Sequence, residues 1–563
     1  MKEIEPEHRA FVAIILTTLV LLVWGFIYKP KPIPQDTAQT QAPTAAVATP
    51  VPPRPTPAPA VAPVSPSSIS ASAERSIVVE SKLYHAELSN QGGILRSWQL
   101  KKFFDDSKPP KPLDLVNTAA ATQLGGWPLS LVLDDPKLEA QANSVFYQVK
   151  QGGVTFQAPV ELDFEWSDGS LDVTKRLKFD NSYDVELEVS ATLEGKPLAP
   201  SVSWRGGFGD TTVDQAAKQV QVFYQSNGKL TTLAYNKLGV SGNSALRFQL
   251  PGALGYAGIE DRYFAAAFLP NDSPLTLWDW SRDRELLGAD NKMESQPVAE
   301  MAAGPISPGP LSARVFIGPK SLDELNAQRP PLEDLLSYGW FGIISKGLLI
   351  ILKWFYRYIP NYGWDIVLMT FIINMLLYPL KHKSWRSMQK MQKLAPRMDQ
   401  IKQKYAKYSM RDPRKRQMNE EMMKLYNEEG INPMGSCLPM LFQMPVWWAL
   451  YRMLYYSIEL RHAPWFGWIH DLSAKDPYYI LPILMVITMY ITTKMTPQMS
   501  VDPAQQKMQA YMPVLFGIFF FLYSSGLILY IFTSNVVGMA QQWYLNRTEP
   551  LPPKGKARAL KKA

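Results

Sequence analysis

Four stretches beyond residue 363 carry almost no charge, and this segregation constrains the fold more than any other feature of the chain. They run over 364–380, 434–456, 478–493 and 511–545. Roughly 20 apolar residues cross the hydrocarbon core of a bilayer, and their backbone must satisfy its own hydrogen bonds as helix. The last stretch is too long for one crossing, and Ser524-Ser525-Gly526 near its middle reads as a tight turn between two short helices. A further apolar run over 10–28 is followed directly by Lys29, Pro30 and Lys31, with no small-residue cleavage site. It reads as an uncleaved anchor, with a signal peptide as the alternative. Six transmembrane helices are therefore expected, in a chain whose mean hydropathy of -0.13 hides them.

Charge sets the orientation. Between 381 and 430 stand fourteen Lys and Arg against six Asp and Glu, an excess of eight. The segment 457–477 holds only Arg461 and Lys475 against Glu459, Asp471 and Asp476. Cytoplasmic loops are enriched in Lys and Arg, so the first segment faces the cytoplasm and the second does not. Counting crossings then puts both termini inside and the region between the anchor and residue 364 outside. The basic tail, with Arg547, Lys554, Lys556, Arg558, Lys561 and Lys562, falls inside by the same count. Such a tail suits ribosomal RNA phosphates or anionic lipid equally.

Residues 30–73 are rich in Pro, Ala, Thr and Val and nearly uncharged, a tether that cannot bury a core. From 74 to 325 short alternating runs such as Val185-Glu186-Leu187-Glu188-Val189 are separated by turn signals such as Asn90-Gln91-Gly92-Gly93. This pattern implies an all-β sandwich. His85 is the domain's only histidine and no carboxylate pair stands out, so a structural or partner-binding role is expected rather than catalysis. The single cysteine, Cys437, excludes an intrachain disulfide. Residues 332–360 combine Lys346, Lys353 and Arg357 with Trp340, Trp354 and Tyr356, which suits an amphipathic helix at a membrane interface; an ordinary packed helix is the alternative.

The charged segment 381–431 reads as a helical hairpin. Trp385, Met388, Met391, Leu394, Met398, Ile401 and Tyr405 recur every three or four residues, and Met418, Met422, Leu425 and Tyr426 form a second stripe after a turn at Asp412-Pro413. Thioether side chains adapt to varied apolar partners, which makes Met388, Met391, Met398, Met418 and Met422 candidates for client contact. Mutual packing of the two stripes is the alternative. Within the spans, Pro439, Pro445, Pro482 and Pro513 interrupt helices, and Thr370, Asn374 and Gln443 place polar groups at membrane depth. Single residues of this kind often bond between helices, whereas a cluster implies a wet cavity.

The order and spacing of Tyr378-Pro379-Leu380, Asn432-Pro433-Met434-Gly435, Gln443-Met444-Pro445, Trp468-Ile469-His470-Asp471-Leu472-Ser473, Asp476-Pro477-Tyr478 and Met512-Pro513 resemble the core of the YidC/Oxa insertase family. The preceding anchor and large outer domain resemble its Gram-negative subtype. The resemblance implies a multi-domain inner-membrane protein: anchor 1–29, linker 30–73, periplasmic β-sandwich 74–325 similar to sugar mutarotases, interfacial helix 332–360, five-helix insertase core 361–546 with its cytoplasmic helical hairpin, and basic cytoplasmic tail 547–563. It implies a hydrophilic groove, open to cytoplasm and lipid, along which a nascent segment slides past Thr370, Asn374, Gln443, Met444, Trp447, Phe516, Phe519 and Tyr530. Here the sequence departs from the family, which usually places Arg or Lys where Asn374 stands and commonly has Pro at Ser524. Implied partners are nascent membrane proteins and anionic lipids, with the Sec translocon and ribosome as further candidates. No cofactor, metal, small-molecule substrate or catalytic residue is expected, and no Gly-x-x-x-x-Gly-Lys-Ser/Thr phosphate loop occurs. The rival class is an ion channel or small-solute transporter, which would want ionisable residues inside the spans or an inverted repeat, and neither is evident. An intramembrane protease would need a catalytic dyad, and no histidine lies in any expected span.

Overall fold

Strand Leu171–Phe179 shows how the first half of the chain folds. Every second residue (Leu171, Val173, Leu177, Phe179) is buried and those between are exposed, so one face of the strand belongs to a core. The computed structural model describes residues 68–213, 216–239, 248–287, 292–408, 412–430, 438–496, 511–512, 515, 517 and 519–548. The expected anchor, the expected linker up to residue 67, Phe516, Lys554, Lys556, Arg558, Lys561 and Lys562 lie outside the described residues. Residues 68–73, expected in the linker, instead join the β unit, where Ile69 and Ser167 exchange backbone hydrogen bonds at 2.9 and 2.8 Å. Two units divide the chain, one made of Val64–Ile351 with Trp448–Arg461 and the other containing Leu352–Trp447 and the residues from His462 on.

In the first unit, Leu171–Phe179 pairs antiparallel with Val160–Ser167 and Asp184–Leu193 inside a ten-stranded sheet that runs on through Leu311–Pro319, Phe264–Pro270, Tyr256–Glu260 and Gln221–Ser226. A five-stranded sheet containing Leu275–Leu287, Met293–Pro305 and Ser201–Trp204 contacts it. A second five-stranded sheet is built around Ser76–Glu80, Tyr84–Ser89 and Ile94–Phe104. Trp98, fully buried, stacks on Tyr84 at 4.1 Å and donates its indole N–H to the Ile317 carbonyl, tying this sheet to the large one. The expected all-β sandwich is thus a three-sheet structure with short helices at Thr118–Leu124 and Pro136–Ser144. Their starts are capped by the Asn117 and Asp135 side chains, which accept backbone N–H groups, a local signal that strand alternation conceals.

Lys175 is the exception on the inward face. Its ammonium, fully buried, donates to the carbonyls of Gly92 (2.6 Å), Leu129 (2.8 Å) and Gly93 (3.2 Å). Gly92 takes φ +70°, and a Cβ there would lie 2.7 Å from the Asn143 carbonyl oxygen, so the expected turn at 90–93 needs glycine to present that acceptor. With no carboxylate to offset desolvation, burial pushes Lys175 down to about 7. The unfolded chain then binds more protons between about pH 7 and the ordinary lysine value of 10.5. Stability of the β unit is therefore expected to rise with pH across that window, and thermal melts of Lys175→Met should lose this slope. An equal slope in the variant would assign the effect elsewhere.

The helices that follow are α1 (Gly342–Tyr356), α2 (Tyr362–Leu376), α3 (Tyr378–Lys404), α4 (Arg414–Glu428), α5 (Leu438–Tyr456), α6 (Ile480–Met495) and α7 (Ser525–Thr548). The helix expected over 332–360 is shorter because Gly339, at φ +70°, interrupts it and leaves separate 3-10 turns at Glu333–Leu335 and Gly339–Phe341. Leu348, Leu349, Leu352 and Phe355 are buried along α1 while Trp340, Ile343 and Trp354 are exposed. Among the described residues, Gly339–Tyr356 is by itself long and apolar enough to cross a bilayer, α2 and α3 together are so across a 52° bend, and α6 is apolar but shorter. Residues 448–461 belong with the β unit. Arg262 donates to the Tyr455 carbonyl (2.7 Å) with its guanidinium 3.8 Å above that ring, and Arg461 pairs with Asp210.

In the second unit α7 packs against both α6 and α2. The loop before α6 is shaped by buried Asp476, which accepts from Trp468 Nε1 (3.0 Å) and the backbone N–H groups of Tyr478 (3.0 Å) and Leu481 (2.7 Å). Ser525 and Gly526 donate to the carbonyls of Ala474 and Leu472, which pins the start of α7 beside that loop.

Candidate functional site

The site begins at the junction of α2 and α3. Asn361 caps α2 by accepting from Gly363 (3.0 Å) and Trp364 (3.2 Å). A Cβ on Gly363 would lie 2.1 Å from the Trp465 ring, so only glycine admits that approach. At the other end Pro379 has no N–H to offer the Met375 carbonyl, and the axis turns by 52°. Across this bend Lys381 lies two helical turns after Asn374, and its Nζ donates to Asn374 Oδ1 at 2.8 Å. It also donates to Gln541 Oε1 of α7 at 3.3 Å, while Gln541 Nε2 donates back to the Asn374 carbonyl at 3.1 Å. Asn374 Nδ2 donates to the Thr370 carbonyl (2.8 Å) and Ser534 Oγ (3.3 Å).

Beside this network is a cavity of about 350 Å³ lined by Lys381, Gln443, Trp447, Thr492, Tyr530, Ile531, Ser534, Asn535 and Gly538. Four helices, α3, α5, α6 and α7, supply these side chains, α2 supports them through Asn374, and Gln443 Nε2 reaches Tyr530 Oη at 3.5 Å. Asn535 Nδ2 meets Thr488 Oγ1 at 3.4 Å on α6. The result is a polar recess in helices whose other faces are largely apolar.

The structure sorts the residues expected in a groove. Gln443, Trp447 and Tyr530 line the cavity. Asn374 is buried beneath it and meets it through Lys381. Thr370 is a correction: it is fully buried and turns its hydroxyl back to the Ile366 carbonyl at 2.6 Å, so it supports α2 and does not face the recess. Met444 and Phe519 are exposed and outside the lining, with relative exposures of 52% and 44%. Lys381, Gln541, Thr492, Ser534 and Asn535 escaped sequence reasoning. Lys381 reads as the first charge of the following loop, and its distance of seven residues from Asn374 was the available signal.

Two family models cover most of the chain: the YidC periplasmic domain over 76–351 and the 60Kd inner membrane protein over 354–551. The membrane protein insertase YidC of Syntrophus aciditrophicus is 33% identical over 96% of this chain and 99% of its own length. That of Citrifermentans bemidjiense is 35% identical over the same shares. The chain belongs to the YidC family. A crystal structure of an active YidC insertase with its first transmembrane domain resolved is 20% identical, covers 84% of this chain and 93% of that one, and has a TM-score of 0.35.

Membership of the YidC family joins a periplasmic domain rich in β-sheet to a helical inner-membrane region. In that region of this YidC-family chain, α3 and α4 pack through Leu394, Met398, Leu425 and Tyr426, with Met391, Ile401 and Met422 against them. Met398 corrects the expectation of client contact: it is 5% exposed and accepts from the Tyr426 hydroxyl at 3.5 Å, which leaves no surface for a client. Met388 and Met418 stay half-buried, and Met423, not singled out from sequence, is 50% exposed. Two ionisable residues inside the expected spans also correct the reading of those spans as free of them. Asp365 is buried in the first turn of α2, where the helix dipole favours an anion, and Arg452 stacks over Tyr456 near the end of α5. Neither lines the cavity.

Proposed function

We infer that the chain is a membrane protein insertase, and that the polar cavity receives the hydrophilic flank of a nascent segment while its apolar helix enters lipid. The observation that carries the reading is the recess itself: Gln443, Thr492, Tyr530, Ser534, Asn535 and Lys381 gathered among apolar helices. Passing one charged residue through a bilayer centre costs about 2.5–3.5 kcal/mol on insertion scales. A wet recess shortens that passage. Each central Leu, Ile, Phe or Val of the client then contributes roughly -0.3 to -0.6 kcal/mol on entering lipid, which drives insertion without nucleotide hydrolysis. Exposed Phe442, Met444 and Phe519 offer such a helix an apolar surface. The channel or transporter reading finds no support among the relatives described, which carry the insertase name over nearly their whole length.

The finer reading has six transmembrane helices, counting the anchor, with both termini and the α3–α4 hairpin in the cytoplasm. Fourteen basic against six acidic residues over 381–430 support it. Half-buried Met388 and Met418 and exposed Met423 are then the hairpin's adaptable client contacts. The basic tail meets ribosomal RNA or anionic lipid, and the Sec translocon is a further partner.

Purified protein in liposomes should insert a short single-span client intact, without conducting ions or cleaving it. Asn374→Ala removes the amide that orients Lys381. It should slow insertion of clients with polar flanks by roughly three- to tenfold, the worth of a hydrogen bond or so, and affect apolar-flanked clients less. Equal rates on both classes would remove Asn374 from the mechanism.

A further inference from the structure

We propose that the outer face of the five-stranded sheet built around Ser76–Glu80, Tyr84–Ser89 and Ile94–Phe104 carries a binding site for a pyranose sugar. A cleft of about 380 Å³ opens there, lined by side chains of all three strands together with Glu74, Asp114 and Trp127. Ligand pockets begin at roughly 300 Å³, so the cleft has room for one or two sugar rings. Alternation sends Tyr84, Ala86, Trp98 and Leu100 into the core and turns Glu87, Ser97 and Gln99 toward the cleft. Glu87 pairs with Ser97 and Leu88 with Leu95, so Arg96 is the extra residue of a β-bulge. The bulge brings its side chain to the cleft as well.

The hydrogen bonds of these side chains decide what the cleft accepts. Asp114 is a fixed support, its oxygens taken by Ser97 Oγ (2.5 Å), Trp98 N (2.9 Å) and Val116 N (3.0 Å). Glu87 and Glu74 are each steadied through Oε1, by Ser76 Oγ at 2.8 Å and Ser89 Oγ at 2.7 Å. The second oxygen of Glu74 and of Glu87 has no hydrogen-bond partner among the described residues. The Arg96 guanidinium lies 4.2 Å over the Trp127 ring and reaches Glu74 only at 3.4 Å, so most of its five N–H donors are uncommitted. Among the described residues the Gln99 amide and the Trp127 indole N–H have no partner either. The cleft therefore offers carboxylate acceptors, guanidinium and indole donors, and an amide that is both. An anion would meet three carboxylates, and a cation would meet Arg96. An apolar ligand would strip water from these groups and replace none of its hydrogen bonds. A hydroxyl donates one hydrogen bond and accepts two, so a ring bearing neighbouring hydroxyls satisfies both sets at once. Its C–H edges rest on Trp127, the one aromatic side chain lining the cleft.

The test uses full-length protein in a detergent without a sugar headgroup. Glucose, mannose and N-acetylglucosamine, each as monomer and as linear tetramer, are titrated by saturation-transfer NMR. Saturable binding of at least one of them is expected, with a Kd on the order of 1 mM for a monomer. Glu87→Ala and Gln99→Ala should each weaken it about tenfold, the worth of one hydrogen bond to a charged or well-placed group, with the thermal transition kept. Gln99→Glu, which loses only the amide donors, gives the same reading if alanine unfolds the sheet. A tetramer bound more than tenfold tighter than its monomer supports the site as one for a glycan chain, and equal affinities support it as one for a free sugar. Absence of saturable binding by all six overturns the proposal, as does unchanged affinity in the folded variants. Saturable binding of putrescine and of no sugar overturns it in favour of a cation.

Discussion

Arg461→Ala is expected to cost the folded protein about 3–5 kcal/mol, because it strands a buried charge. Arg461 and Asp210 meet at 2.5 Å with side chains only 3% exposed on each side. Asp210 also accepts from Thr212 N (2.9 Å) and Thr212 Oγ1 (2.6 Å), so it is held in place whether or not Arg461 is present. The guanidinium lies 5.6 Å over the Phe264 ring, adding a contact that lysine would not reproduce. Removing Arg461 leaves the carboxylate desolvated and short of its counter-charge. For a domain of this size the loss corresponds to a fall of roughly 6–20 °C in the first thermal transition, read on detergent-solubilised full-length protein. The double variant with Asp210→Ala should lose less than the sum of the two single losses. Strict additivity, or a single-variant loss below about 1 kcal/mol, would show that the pair is hydrated in solution.

Glu300→Ala carries a comparable penalty for a different reason. Its side chain is fully buried and gathers four donors: Gly206 N (3.0 Å), Trp280 Nε1 (2.6 Å), Arg282 Nε (2.7 Å) and Arg282 Nη2 (2.6–2.8 Å). Gly206 N and Trp280 Nε1 are buried against that one carboxylate and lose it together, while Arg282, 23% exposed, loses its counter-charge, again at about 3–5 kcal/mol in all. Glu300→Gln tests the account. It keeps one acceptor oxygen but turns an NH2 toward the guanidinium, and it should fall between wild type and alanine. If Gln melted with wild type, shape rather than charge would be holding this corner of the β unit.

Much of the architecture was legible before any coordinates. Alternation over 171–179 and 185–189 announced strands, and charge-poor stretches announced helices, because both patterns repeat at the period of the element they build. The spacing of Leu394, Met398, Leu425 and Tyr426 placed them on two stripes, and a stripe of that kind packs wherever a second one faces it. The third sheet and the capped helices at Thr118–Leu124 and Pro136–Ser144 were not visible, since sheet membership depends on pairings between distant segments that alternation does not name.

The candidate site divides along the same line. Polar residue types within charge-poor stretches are a local property, so Asn374 and Gln443 could be named from the chain alone, whereas Tyr530 came only from the family resemblance. What those side chains meet is decided between segments about 160 residues apart, as when Gln541 reaches Lys381 and Asn374. The chain by itself therefore determined which stretches form apolar helices and which form strands, through periodicity and charge. Tertiary structure alone decided that Thr370 turns inward to its own helix, that Met398 disappears under Tyr426, and that Lys381 swings across a proline bend into the cavity. Buried polar groups must find partners wherever packing brings them, and sequence spacing carries no record of a partner on another helix.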